Sequence, residues 1–250
     1  RAAQDPAKLA AFLGAAKAPT RAREISTSLD EIVSRRAEFL TSYQNAAYAA
    51  RYRALVDKVR KAEAELKPGS TALAEAVARY GFKVMAYKDE YEVARLYTDG
   101  AFLKQVAATF EGERMRFNIH LAPPLLAKAD PVSGEPRKIA FGPWMMGAFK
   151  VLARLKGLRG TVFDPFGRSP ERRTERALIA DYFALIDEML DRLNADNLPL
   201  AIALASVPEK IRGFGHVKEK HLKAAKAEEA ELLARYRAGE TRMVLPQAAE

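Results

Sequence analysis

The stretch "SLDEIVSRRAEFLTSYQNAAYAARYRALVDKVRKAEAEL", residues 28–66, carries a helical periodicity that no glycine or proline interrupts before Pro68. Ser28 and Glu31 stand three positions apart ahead of the apolar residues, which is the spacing of an N-terminal capping box. At 1.5 Å per residue an unbroken helix would be about 55 Å long, so we expect it to kink or to extend as an arm. Its apolar positions are Leu29, Ile32, Val33, Leu40, Tyr43, Ala47, Ala50, Leu55, Val59, Ala62 and Leu66.

Helical periodicity also dominates the rest of the chain. Ser70 or Thr71 can cap a helix that runs to about Thr98. Further helices are predicted at 101–110, at 144–158 and at 200–207, together with one that starts at Pro170 and a last one that ends near Ala238. Residues 115–121 alternate between apolar and polar side chains, which predicts a short strand that pairs with a second strand in 137–142. The predicted fold class is mainly α: a helical domain with long helices and one small two-stranded β element.

The composition shifts along the chain predict three segments. Residues 1–27 form an alanine-rich helix and a polar connector, 28–240 form the helical domain, and 241–250 form a polar tail. The chain starts with Arg1 instead of methionine, so we expect it to be a piece of a longer polypeptide.

The composition also restricts the chemistry of the chain. With no cysteine, these residues provide no disulfide, zinc–thiolate site, thiol nucleophile or cysteine-ligated iron–sulfur cluster. The absence of cysteine fits a cytoplasmic location, and no apolar run approaches the ~18 residues of a membrane span. The net charge of +9 permits an anionic partner, but the basic residues are spread out, which favours solvated faces over a nucleic-acid interface.

The motifs of the sequence predict no catalytic, cofactor-binding or metal-binding residue. Gly-x-Ser-x-Gly, Walker and His-Glu-x-x-His patterns are absent from the sequence, and we interpret "TDG" (98–100) and "GFGHVK" (213–218) as helix boundaries. His216 and Glu219 form only a weak metal pattern. The residues we predict to contact an anion or a neighbouring domain are Lys88, His120, Arg137, Lys138, Arg212 and His216.

The stretch "KVMAYKDEYEVARLYT", residues 83–98, combines an apolar stripe with many charges. Val84, Tyr87, Tyr91 and Ala94 share one helix face, which predicts that they pack into the core. Lys88–Glu92 and Glu92–Arg95 have the spacing of helical ion pairs. We interpret this stretch as mainly architectural, with a charged side that docks onto a neighbouring domain.

Six stretches of the chain carry a resemblance to a known family. They are "AYAARYRALV" (47–56), "KVMAYKDEYEVARLYT" (83–98), "FNIHLAPPLLA" (117–127), "FGPWMMGAFKVLARLKGLRGTVFDPFG" (141–167), "ERRTERALIADY" (171–182) and "IRGFGHVKE" (211–219). Together they resemble, in order, the C-terminal domain of the fused, single-chain indolepyruvate ferredoxin oxidoreductases, which are 2-oxoacid:ferredoxin oxidoreductases. "RAAQDPAKL" (1–9) resembles the tail of the preceding domain.

The resemblance implies part of an enzyme that decarboxylates aryl 2-oxo acids such as indole-3-pyruvate to acyl-coenzyme A and passes the electrons to ferredoxin. It also implies thiamine diphosphate, magnesium and iron–sulfur clusters, but the motifs for these cofactors match no residue of this chain. We therefore expect the cofactors in other domains, and these 250 residues to be inactive alone. The implied partners are the other domains of the enzyme, ferredoxin and further copies in a homo-oligomer, with no nucleic acid and no membrane.

A second hypothesis stays open. The chain would then be a non-catalytic helical module with a basic surface, used for binding or for oligomerisation. Salt-dependent binding to nucleic acid would favour it, because neutralising phosphates releases counterions. Salt-insensitive association with a thiamine-dependent protein would favour the oxidoreductase.

Overall fold

A computed structural model describes residue 26 and residues 28–109, 118–121, 139–213 and 215–240. The chain divides into two compact units. The larger unit comprises Ser26–Tyr87 and the described part of Gly160–Glu250, and the smaller unit comprises the described part of Lys88–Arg159. Of the predicted segment 1–27 the structure describes only residue 26, and the predicted tail 241–250 lies outside the described residues.

The described residues form a mainly α fold with one two-stranded sheet, as predicted. Within these residues, short 3₁₀ helices lie at Leu155–Leu158 and Val207–Lys210. In chain order the other elements are α1 (Leu29–Tyr43), α2 (Ala46–Leu66), α3 (Ala72–Met85), α4 (Glu90–Thr98), α5 (Ala101–Thr109), β1 (Ile119–Leu121), β2 (Ile139–Phe141), α6 (Met145–Arg154), α7 (Pro170–Asp191), α8 (Leu198–Ser206) and α9 (Gly215–Arg237). Within this part of the chain, no helix is long and apolar enough to cross a membrane.

The larger unit is built around α3, which contacts α1, α2, α7 and α8. Small side chains on α3 allow this close approach: Ala74 and Ala78 are fully buried. A Cβ at Gly81 would lie 3.5 Å from the ring of Tyr182 and 3.6 Å from Leu55. A single apolar core fills the unit, with Leu40, Tyr52, Ile186 and Leu204 among its buried members.

The smaller unit has its own apolar core, made by α4, α6 and the hairpin. Ala94, Ile119, Met145 and Phe149 are buried together, and the ring of Tyr97 stacks on Phe149 at 5.3 Å. The predicted pairing of the two strands is confirmed: β1 and β2 are antiparallel, with His120 opposite Ala140. The predicted start of the first strand lies in 110–117, outside the described residues.

The stretch at residues 28–66 is kinked, as one of the two expected outcomes. It forms α1 and α2, and Asn45 caps the second helix by accepting a 2.8 Å hydrogen bond from the backbone N–H of Tyr48. The break resets the helical phase. Ala47 and Ala50, predicted on the apolar face, are therefore exposed, while Tyr48 and Tyr52 are buried in their place.

The helix predicted up to Thr98 was wrong in its continuity. It ends at Met85, and α4 begins only after Asp89, whose carboxylate accepts a 2.8 Å hydrogen bond from the N–H of Glu92. A side-chain cap at Asp89 stabilises a new helix start in place of a continuous helix. Tyr87 lies between the helices and is still buried, with its carbonyl accepting a hydrogen bond from the Tyr43 hydroxyl at 2.9 Å.

A buried carboxylate fixes the start of α3. Glu63 is 0% exposed, and its oxygens accept hydrogen bonds from the Ser70 hydroxyl at 2.7 Å, the Leu73 N–H at 3.1 Å and the Ala74 N–H at 2.9 Å. The first N–H groups of a helix have no partner inside it. Glu63 supplies these partners from the preceding helix and so fixes the turn between α2 and α3.

We predict that Glu63→Ala lowers the free energy of unfolding by about 2–4 kcal/mol, because it leaves buried N–H groups without acceptors. Denaturant unfolding measures the change. Glu65→Ala, at an exposed position of the same helix, is the matched control and should change stability by less than about 0.5 kcal/mol. Equal effects of the two substitutions would contradict this role for Glu63.

Tyr52 predicts a loss of stability in alkali. Its hydroxyl donates to the Ala78 carbonyl at 3.0 Å, and burial raises its pKa to about 12 against the opposing charge of Arg36. The neutral phenol therefore contributes stability that is complete below its unfolded pKa of about 10 and is lost as the pH rises through about 12. The loss is about 2–3 kcal/mol.

Tyr52→Phe should cost about 1 kcal/mol at pH 7 through the lost hydrogen bond. It should also flatten the fall of unfolding free energy between about pH 10 and pH 12, measured by urea unfolding at a series of pH values. Parallel stability curves for the two proteins across that range would show that folding does not raise the pKa of the Tyr52 phenol.

Candidate functional site

An ion pair buried in the smaller unit joins the residues at its two ends. The Arg159 Nε lies 2.5 Å from the Asp89 Oδ2, and a second guanidinium nitrogen lies 2.9 Å from the Asp89 Oδ1. Both side chains are only 3% exposed. We call this pair the clasp, because Asp89 and Arg159 lie at the start and at the end of the smaller unit.

Further contacts of the clasp offset the free-energy cost of burying its charges. The N–H of Glu92 donates to the same Asp89 carboxylate, and the Arg159 guanidinium carbon lies 5.5 Å from the centre of the Tyr91 ring, in cation–π range. Charges taken out of water are costly unless they are paired and hydrogen-bonded. Asp89 and Arg159 meet that condition.

A second ion pair lies one helical turn along α4. The Arg95 Nε and a terminal nitrogen contact the two Glu92 oxygens at 2.8 and 2.7 Å, which confirms the predicted Glu92–Arg95 pair. Asp99 lies 3.8 Å from the same guanidinium. Carboxylates held by two-pronged arginine contacts are fixed in place.

Lys156, on the 3₁₀ helix of the smaller unit, has an altered electrostatic environment. Burial, and then the positive charges of Arg95 and Arg159, lower the pKa of its amine. A lysine with a lowered pKa more easily reaches its neutral, nucleophilic form. Because the carboxylates Asp89 and Glu92 are each occupied by an arginine, the cluster has the chemistry of a fixed charged scaffold.

The residues predicted to contact anions fall in different parts of the chain. In the smaller unit, Lys88 is exposed directly before α4, and His120 is exposed on β1. Lys88 precedes the cap residue Asp89, so it does not share a helical face with Glu92 as the i, i+4 spacing predicted. The contacts of these side chains with an anion stay predictions.

In the larger unit, Arg212 is 67% exposed and donates to the Glu209 carbonyl at 3.1 Å. His216 is exposed in the first turn of α9. Arg137 and Lys138 lie outside the described residues. The described residues contain no group of three or more His, Asp or Glu side chains placed to hold a metal ion.

The clasp was not predicted from the sequence. Asp89 and Glu92 have the three-residue spacing that marks a helix start, but reading 83–98 as one helix hid that signal. Nothing in the sequence links Arg159 to a carboxylate seventy positions earlier, because only the fold brings them together.

We predict that Arg159→Ala lowers the free energy of unfolding by about 3–5 kcal/mol, since it leaves a buried carboxylate unpaired. Arg154→Ala, at an exposed position of the same unit, is the control, and denaturant unfolding measures both. The double substitution Asp89→Asn, Arg159→Met should recover part of the loss, because no charge then stays buried. Similar stabilities for Arg159→Ala and the control would contradict a stabilising clasp.

The comparison with protein families gives one match, which covers both units. The model of DUF6537, described as a family of unknown function, matches residues 29–231. No curated protein and no solved structure matches the chain. Since the match covers most of the 250 residues, the chain belongs to the DUF6537 family.

Proposed function

We propose that this chain is the C-terminal accessory domain of an indolepyruvate ferredoxin oxidoreductase in the cytoplasm. The observation that carries the proposal is the ordered resemblance of six stretches between residues 47 and 219. Two of them, 83–98 and 141–167, contain the two halves of the clasp, Asp89 and Arg159. The resemblance therefore includes residues that meet in the fold although they are far apart in sequence.

The role of the domain in this proposal is structural. With no cysteine in the chain and no thiamine–magnesium motif in the sequence, these residues do not fit the cofactors of the reaction, and we assign them no chemical step. The domain packs against the cofactor-bearing domains and shapes the entrance for substrate or coenzyme A, or the contact between subunits. The clasp keeps α4 in one position, as a docking surface requires.

The test uses the natural protein that contains this chain, purified without oxygen. We expect indole-3-pyruvate to reduce ferredoxin only when coenzyme A is also present, and the purified protein to contain thiamine diphosphate and iron. The 250-residue chain alone should give no turnover. Turnover by the chain alone would contradict the division of labour, and a natural protein without thiamine or activity would contradict the function.

Exposed large apolar residues such as Trp144 and Phe163 favour the second hypothesis, a non-catalytic binding module, because such residues are typical of contact surfaces. The two proposals differ in the partner with which the chain associates. Association with a thiamine-dependent protein that persists in high salt supports the oxidoreductase, because surface ion pairs are screened and apolar contacts are not. Retention on nucleic acid with a steep salt dependence supports the binding module.

A further inference from the structure

An apolar stripe runs along the exposed face of α6 and includes the residue on either side of this helix. We define the stripe as Trp144, Ala148, Val151 and Leu155, which follow one another at intervals of four, three and four residues and so share one helix face. Trp144 is 66% exposed, Val151 58% and Leu155 45%, and Ala148 is exposed. Contiguous exposed apolar surface with a polar edge is typical of interaction sites.

The stripe is a built surface of the smaller unit. The opposite face of α6 buries Met145 and Phe149 in the core, which fixes the orientation of the helix. The Trp144 ring packs edge-on against Phe141 at 5.9 Å. Gly147 has nothing within 4 Å of the position that a Cβ would occupy, which leaves open space beside the stripe.

The charged residues of the segment that carries the stripe are all basic. Between residues 139 and 160 the chain has four basic residues and no acidic one. Two of them, Lys150 and Arg154, are exposed. Arg154 follows Val151 by three residues and so borders the stripe, and Lys150, four residues before Arg154, lies on the same side of the helix. The opposite edge is closed by Leu152, which packs on the unit's core.

We propose that the stripe docks an acidic amphipathic helix of a partner protein. Apolar side chains at helical spacing over three turns are typical of a surface that binds an amphipathic helix. The basic edge is complementary to acidic side chains on that partner helix. A second copy of this chain would present the same positive edge and be repelled. A helix that binds a lipid surface usually carries basic residues across its whole polar face. Here the basic residues lie on only one side of the stripe, which favours a single partner helix over a lipid surface.

The inference uses only residues 139–160 and does not depend on the oxidoreductase proposal. Trp144 is the one tryptophan of the chain, so tryptophan fluorescence reports directly on the stripe. The probe is a synthetic helical peptide with leucines at i, i+3, i+4 and i+7 and glutamates beside them. A peptide with lysines in place of the glutamates is its control, and both are titrated into the full 250-residue chain.

We expect saturable movement of the Trp144 emission to shorter wavelength with the acidic peptide only. Lys150→Glu with Arg154→Glu should weaken that binding by about tenfold or more, and salt should weaken binding to the original chain. Val151→Asp should abolish the shift. Val162→Asp, at a valine of the larger unit that is 78% exposed, is the matched control and should leave the shift unchanged.

Three results would overturn the proposal. The first is an equal response to the acidic and the lysine peptide, or no response to either. The second is a shift produced by vesicles of phosphatidylserine and phosphatidylcholine but not by the acidic peptide, which would identify a lipid surface. The third is a shift that appears with rising concentration of the chain alone, which would identify a second copy as the occupant.

Discussion

The buried contact between Asp89 and Arg159 is the interaction on which the smaller unit depends. It connects residues at the two ends of that unit, so it stabilises closure of the long intervening segment. Closing a long loop costs entropy, and a charged, two-pronged hydrogen bond is among the stronger contacts available to offset it. Because Asp89 also caps α4, the same carboxylate sets both where that helix begins and where the returning chain is held.

Carboxylates that accept backbone N–H groups recur at other turns of the fold. Glu63 holds the start of α3. Asp164 is 5% exposed and accepts from the N–H groups of Gly160 at 2.8 Å and Phe166 at 3.1 Å. A Cβ at Gly167 would lie 2.6 Å from an Asp164 oxygen, so any other residue there would displace the Asp164 carboxylate. These turns are fixed by buried polar atoms as well as by apolar packing.

The smaller unit departs from the usual distribution of side chains, because it buries charges and exposes large apolar groups. Asp89, Glu92 and Arg159 are buried, whereas Trp144 and Val151 face outward. Charged side chains are almost never fully buried unless paired, and single exposed apolar residues are ordinary. Four of them aligned on one helix face, beside a positive edge, are better explained by contact with a partner. This distribution connects the structural role of the clasp with the docking role proposed for α6.

The sequence by itself determined the helical class, the hairpin and most helix ends, because periodicity and caps such as Ser28 and Ser169 act within a few residues. It also restricted the chemistry, since no cysteine is present. The burial of Tyr48 in place of Ala47 follows from the local cap at Asn45, a signal that the continuous periodicity of 28–66 obscured. Tertiary structure alone decided the pairing of Asp89 with Arg159, because local patterns do not encode a contact between positions seventy residues apart.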